Sequence, residues 1–304
     1  MVDQGFIGRV DKRSLHRELI LIQPVKKNLG LHQIFDRGKL MIWKTVLYMV
    51  TGYVVICILV FMAQRKMLYM PAKFQLPPEQ AKQNGLTYWP QFESFKGFVS
   101  VDPPETVLGT VIVFHGNAGA AYDRIFYMQA LQKRNLRVIL AEYPGYGGRA
   151  GSPSEASLVS DALDIIRLAD QTFGGPLFLW GESLGCGVAA AALAKTDVPV
   201  KGLVMFLPWD SLPEVAQTHY WYLPAKWLVK DQYNSIENLK TYNGNTAVLL
   251  AGKDEVIPVR HGQRLYESLQ GTKRLWVFEN ATHNTVPVAP DLPWWDEVTA
   301  FVSQ

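Results

Sequence analysis

Apolar and polar positions fall into two unlike regimes along the 304 residues. Residues 45–63 (TVLYMVTGYVVICILVFMA) are an uncharged, almost wholly apolar run. A helix of that length spans roughly 28 Å, close to the hydrocarbon thickness of a bilayer. Trp43 and Lys44 precede it and Arg65, Lys66 and Tyr69 follow, the aromatic and basic residues that favour membrane–water interfaces. A core helix of a soluble protein seldom lacks a polar face for so long. The run also starts too late and is too long for a cleaved signal peptide. It predicts an uncleaved transmembrane helix at 45–63, after a leader at 1–44. Lys and Arg are nearly balanced on its two sides, so the charge rule assigns no orientation.

Beyond it, residues 64–90 carry Pro71, Pro77, Pro78, Gly85 and Pro90 and predict a linker. In 91–304 short apolar stretches of strand character alternate with amphipathic helical ones. Strands are predicted near 107–114, 136–141, 177–180, 202–206, 247–250 and 274–278. Helices are predicted near 121–134, 154–172, 183–195, 260–269 and 294–302. That alternation means βαβ units and a mostly parallel sheet with helices on both faces. The segment 208–234 breaks the pattern. It holds Trp209, Tyr220, Trp221, Tyr222, Trp227 and Tyr233, with Pro213 and Pro224 interrupting any long helix. An insertion after a strand end of such a sheet lies where ligands bind, so a lid or pocket lining is expected.

Composition narrows the classes. Hydrophobic residues are 48% and charged residues 19%, which excludes a disordered chain. Cys57 and Cys186 are too few for a disulfide framework or a thiolate cluster, and the six histidines are scattered. No metal or organic cofactor is expected. The net charge is +3, with the excess of Lys and Arg in the leader. A near-neutral body is not that of a nucleic-acid binder, and a basic leader suits a membrane-proximal segment.

The chemistry centres on Gly181-Glu182-Ser183-Leu184-Gly185, a G-x-S-x-G between an apolar strand and a small-residue helix. Such a turn projects the serine hydroxyl from the sheet edge. Serine needs a base, and the base an orienting acid, in the chain order Ser, Asp/Glu, His. His16 and His32 precede the membrane run, His115 and His219 precede any plausible acid, and His261 lies only seven residues past Asp254 on a predicted helix. His283, in the loop NATHNT, is therefore the expected base. Asp254, in KDEVIP after a strand, is favoured as the acid by chain order, with Asp210 and Glu255 as rivals. His115-Gly116-Asn117-Ala118-Gly119 follows a strand where oxyanion donors belong. The backbone N–H groups of Asn117 and Leu184 are the expected pair, while the side chains of His115 and Asn117 are expected to hold the loop.

VIVFHGNAGA, AEYPGYGGRAGSPSE, LWGESLGCGVA, LPWDSLPEVA with LVKDQYNS, and AGKDEVIPVRHG together make the chain resemble the α/β-hydrolase superfamily. Within it the chain resembles the membrane-anchored α/β-hydrolase-domain-containing group of depalmitoylase-like and unassigned bacterial members. The resemblance implies Ser183 as nucleophile, Asp254 as acid, His283 as base, and an ester or thioester substrate. Glu182 before the serine and Asn284-Thr285 after the histidine depart from the group's pattern. The expectation is a membrane-anchored serine hydrolase cleaving acyl esters or thioesters through an acyl-enzyme, on a lipid or an acylated protein. A serine peptidase on the same triad and a catalytically silent anchored scaffold are the alternatives.

Overall fold

The computed structural model describes residues 28–304, and the leader up to residue 27, His16 included, lies outside the described residues. Two compact units result, the second being Ile56–Gln304. Helix α1 (Asn28–Leu68) runs through the boundary between them. Its stretch Ile34–Leu68 is long and apolar enough to cross a membrane. At 35 residues it measures about 50 Å, well beyond a hydrocarbon core of about 30 Å. Up to residue 56 its described side chains are nearly all exposed, whereas Cys57, Val60, Ala63, Gln64 and Leu68 are half-buried.

The second unit continues with β1 (Met70–Pro71), α2 (Pro78–Gln83), β2 (Leu86–Trp89), β3 (Gly97–Ser100), β4 (Gly109–Phe114), β5 (Ala118–Gly119), α3 (Ile125–Gln132), β6 (Leu136–Ala141) and α4 (Glu155–Phe173). There follow β7 (Leu177–Glu182), α5 (Leu184–Leu193), β8 (Val200–Phe206), α6 (Leu212–His219), α7 (Ala225–Leu228), α8 (Ser235–Leu239), β9 (Asn245–Ala251), α9 (Val259–Ser268), β10 (Lys273–Phe278) and α10 (Pro293–Val302). Eight strands form one sheet in the order β10-β9-β8-β7-β4-β6-β3-β2. It is parallel from β10 to β6, and β3 and β2 add antiparallel at one edge.

The sheet is buried on both faces, and β4 shows why its strand is apolar throughout. Ile112 and Phe114 join one core with α4, α5 and α9, while Val111 and Val113 join the other with α3 and α10. A strand covered on both sides has no solvent face and so no polar alternation.

The predicted linker at 64–90 is instead part of the folded unit. Tyr69 is buried, β1 pairs with β5, and Leu86–Trp89 is the outermost strand of the sheet. Ala72 N–H donates to Gly119 O (2.9 Å), and Ala72 O accepts from Gly147 N–H (2.8 Å). Frequent prolines read locally as a linker, but a two-residue strand and a four-residue edge strand tolerate them because few of their N–H groups must pair. The insertion at 208–234 holds α6 and α7. Trp209 and Tyr233 are buried, with the Trp209 ring N–H donating to Tyr233 O (3.1 Å), whereas Trp221 and Trp227 are 78% and 87% exposed.

Candidate active site

Ser183 sits between β7 and α5 with φ 51° and ψ −111°. A non-glycine residue there is strained by about 1–3 kcal/mol, so the surroundings must hold it. They do so through Ser183 N–H donating to Phe206 O (2.8 Å) and Cys186 N–H donating to Ser183 O (2.9 Å). The flanking glycines are required sterically. A Cβ at Gly185 would lie 1.8 Å from Phe114 O, and one at Gly181 would lie 2.5 Å from Cys186 Cα. Those approaches bring α5 hard against the sheet and turn the serine outward. Cys186 itself is buried, its thiol pushed well above its ordinary pKa by burial, so it stays a protonated packing group.

The structure brings Ser183, His283 and Asp254 together from three strand ends. His283 Nε2 lies 3.1 Å from Ser183 Oγ, and its Nδ1 lies 2.7 Å from Asp254 Oδ2. Asp254 Oδ1 accepts from the backbone N–H groups of Val256 (2.9 Å) and Ile257 (2.7 Å), which fixes the carboxylate on the imidazole. Lys253 N–H donates to Ala281 O (2.9 Å), tying the Asp254 and His283 loops together.

Neither rival acid reaches His283. Asp210 accepts from His261 Nδ1 (2.9 Å), Arg264 Nη2 (2.7 Å) and Ser211 N–H (2.7 Å), bracing the insertion against α9. Glu255 is exposed. His261, close to Asp254 in sequence, belongs to that brace.

The loop 115–119 is held on several sides. The His115 ring spans Gly116 O (2.8 Å) and Glu142 Oε1 (3.1 Å). Asn117 Nδ2 donates to Leu68 O (2.9 Å), and Asn117 O accepts from Met70 N–H (3.0 Å) and the Tyr146 hydroxyl (2.8 Å). The side chains of His115 and Asn117 therefore hold the loop. Leu184 opens α5, so its N–H is one that the helix itself leaves without an acceptor.

Ser183 and Asn117 line two cavities, one mainly apolar and one mixed. One, of about 280 Å³, is walled by aliphatic side chains including Leu212, Val215, Leu223 and Leu228. The other, of about 250 Å³, is mixed, with Asp123, Arg124, Glu182 and His283 beside Phe126, Leu207 and Val286. Burial would push the Glu182 carboxyl up, but the Arg124 guanidinium, 2.9 Å away, holds it below its ordinary value. The second cavity is thus lined by an ion pair. Reading the sequence singles out neither Arg124 nor the residues of α1 that reach the first cavity. Glu182 stood out only as a departure, and its partner is 58 residues upstream.

The sheet order, the strand–serine–helix elbow and this convergence of three loops define the α/β-hydrolase class. The comparisons agree. A family model described as alpha/beta hydrolase fold matches residues 109–231. An uncharacterized protein of Mycobacterium tuberculosis is 32% identical over 201 residues, covering 64% of this chain and 69% of that protein. The lysophosphatidylserine lipase ABHD12 of Danio rerio is 32% identical over 184 residues, covering 54% of this chain and 48% of that lipase, about half its length. Among solved structures, a Pyrococcus furiosus esterase superposes with a TM-score of 0.60 at 16% identity, covering 77% of this chain and 97% of the esterase. Est1E of Butyrivibrio proteoclasticus with ferulic acid bound gives 0.53 at 17%, covering 66% and 90%. The chain belongs to the α/β-hydrolase superfamily.

Proposed function

We propose that the protein is a membrane-anchored serine hydrolase that cleaves acyl esters of amphiphilic lipids, with thioesters accessible to the same chemistry. The observation that carries this reading is the position of Ser183. Its hydroxyl is 3.1 Å from a carboxylate-oriented imidazole and lines both an apolar cavity and a more polar one that contains an ion pair. An ester with a hydrocarbon acyl part and a polar alcohol part matches both sides. The relative ABHD12 is a lysophosphatidylserine lipase and the Pyrococcus furiosus fold relative is an esterase, which supports the same reading. The apolar stretch of α1 serves as the single-pass anchor, and the exposed Trp221 and Trp227 are rings of the kind that favour a lipid interface.

In the mechanism, Ser183 Oγ attacks the acyl carbonyl carbon while His283 Nε2 takes the hydroxyl proton. Asp254 accepts the His283 Nδ1–H bond throughout, which fixes the tautomer and stabilises the imidazolium. The carbonyl oxygen becomes an oxyanion facing the N–H groups of Asn117 and Leu184, each such donor contributing about 2.7–4 kcal/mol. Collapse breaks the ester C–O bond, and the alcohol leaves with the proton from His283. Water then gives a proton to His283 and attacks the acyl-enzyme; collapse breaks the Ser183 Oγ–C bond, His283 returns the proton to Ser183 Oγ, and the carboxylic acid is released.

The test is fluorophosphonate labelling of the full chain, with parallel panels of acyl esters and peptides. Labelling and ester hydrolysis are expected in the native protein. In Ser183→Ala labelling is expected to disappear and turnover to fall by several powers of ten. Labelling that persists in Ser183→Ala, or cleavage of peptides in place of esters, would refute the proposal.

A further inference from the structure

The end of the apolar helix is built into the site. Val60, Gln64 and Leu68 recur at four-residue spacing along α1, are half-buried, and line the same 280 Å³ cavity as Ser183. The seam between this stripe and the insertion is closed by specific bonds. Gln64 Nε2 donates to Leu228 O (3.0 Å), and Gln64 Oε1 accepts from Lys230 N–H (2.7 Å). Arg65 grips Asp231 through Nε (2.9 Å) and Nη2 (2.8 Å), and the Lys230 ammonium lies 4.1 Å from the centre of the Phe61 ring. The opposite wall is Leu212, Val215 and Leu223 of the insertion.

Several polar groups along the cavity are already committed to protein partners. Gln64, Arg65 and Asp231 bind one another's segments, and the Trp209 ring N–H is held by Tyr233 O. What remains for a ligand is mainly apolar surface, which recognises hydrocarbon by length and shape. We propose that the last three turns of the anchor helix form one wall of the acyl-chain site, so that Val60 and Leu68 set the acyl length the enzyme accepts. The occupant is the acyl chain of an ester lipid, with its carbonyl at Ser183. This rests on the ester-hydrolase reading above. It makes the helix a part of the specificity pocket as well as a tether.

The variant Val60→Trp fills the cavity from the helix side. Each buried methylene is worth about 0.8 kcal/mol, or about fourfold in kcat/KM. Loss of room for two methylenes lowers the ratio of kcat/KM on a dodecanoyl ester to that on a butyryl ester about fifteenfold. The control Met62→Trp, on an exposed position of the same helix, leaves the ratio at the native value. Both are measured on the full chain in detergent micelles. A ratio in Val60→Trp within twofold of native overturns the inference while leaving ester hydrolysis standing. A second readout needs no turnover. In the Ser183→Ala background a fluorescent eleven-carbon fatty acid should bind, and adding Val60→Trp should weaken binding at least tenfold. Equal binding with and without Val60→Trp overturns the inference. Weakened binding in a protein that hydrolyses no ester upholds the cavity and refutes the hydrolase reading alone.

Discussion

The ion pair between Arg65 and Asp231 offers an asymmetry that can be measured. Asp231 accepts bonds from Arg65 Nε and Nη2, the Tyr69 hydroxyl (3.0 Å) and Glu155 N–H (3.2 Å). Its side chain is 5% exposed, whereas that of Arg65 is 47% exposed. Removing the cation strands a buried carboxylate, while removing the anion frees a guanidinium that solvent already reaches. Breaking a buried pair from one side costs about 3–5 kcal/mol, and the partial exposure of Arg65 brings this to roughly 2–3 kcal/mol for Arg65→Met. In Asp231→Asn the amide oxygen still accepts bonds and Arg65 turns to water, so the loss is about 1 kcal/mol. A domain of this size loses about 2–4 °C of Tm per kcal/mol. Arg65→Met should therefore melt about 5–10 °C below the native protein, and Asp231→Asn about 2–4 °C below it. The assay is thermal unfolding of the full chain in one detergent, followed by tryptophan fluorescence. Equal shifts, or a larger one in Asp231→Asn, would refute the reasoning that the carboxylate bears the burial cost.

Two further outcomes follow from the site and from the charged clusters. Asp254→Asn should lower turnover by about 10⁴ by favouring the wrong imidazole tautomer, whereas Asp210→Asn should act mainly on Tm through the His261 and Arg264 brace; turnover of both variants on a butyryl ester, with their melting curves, separates the two roles. Glu182 beside Arg124 and Asp161 beside Arg149 and Lys96 both have folded pKa values held below the ordinary carboxyl range, so their contribution to stability is complete above about pH 5 and is lost as the pH falls through those lower values. Melting from pH 6 to pH 3 should show Tm declining on the acid side, with a shallower decline in Asp161→Asn; identical slopes would count against that pair.

Much of the candidate site is legible in the sequence because the fold imposes it locally. The elbow needs glycines on both sides of Ser183, since any Cβ there would enter Phe114 or Cys186, and that demand is written within five residues. The central strands carry unbroken apolar stretches because both faces are covered, which makes β4, β6, β7, β8 and β9 readable as runs. Chain order then singles out His283 as the expected base and favours Asp254 as the acid, but only the folded contacts of Asp210 with His261 and Arg264 set that rival aside.

What tertiary structure alone decides lies where the partners are far apart in sequence. An apolar run specifies a helix and its burial in something apolar, but uniform apolarity conceals which stripe meets lipid and which meets protein. Val60, Gln64 and Leu68 become a cavity wall only because Leu228, Lys230 and Asp231, more than 160 residues later, supply the bonds that close the seam. The segment after the helix reads as a linker for the same reason. Its strands are too short to show a period, and their pairing with Ala118, Gly119 and the sheet edge is a property of the folded chain. The two cavities on either side of Ser183 arise in the same way, where surfaces that no local pattern connects are brought together by the order of the sheet.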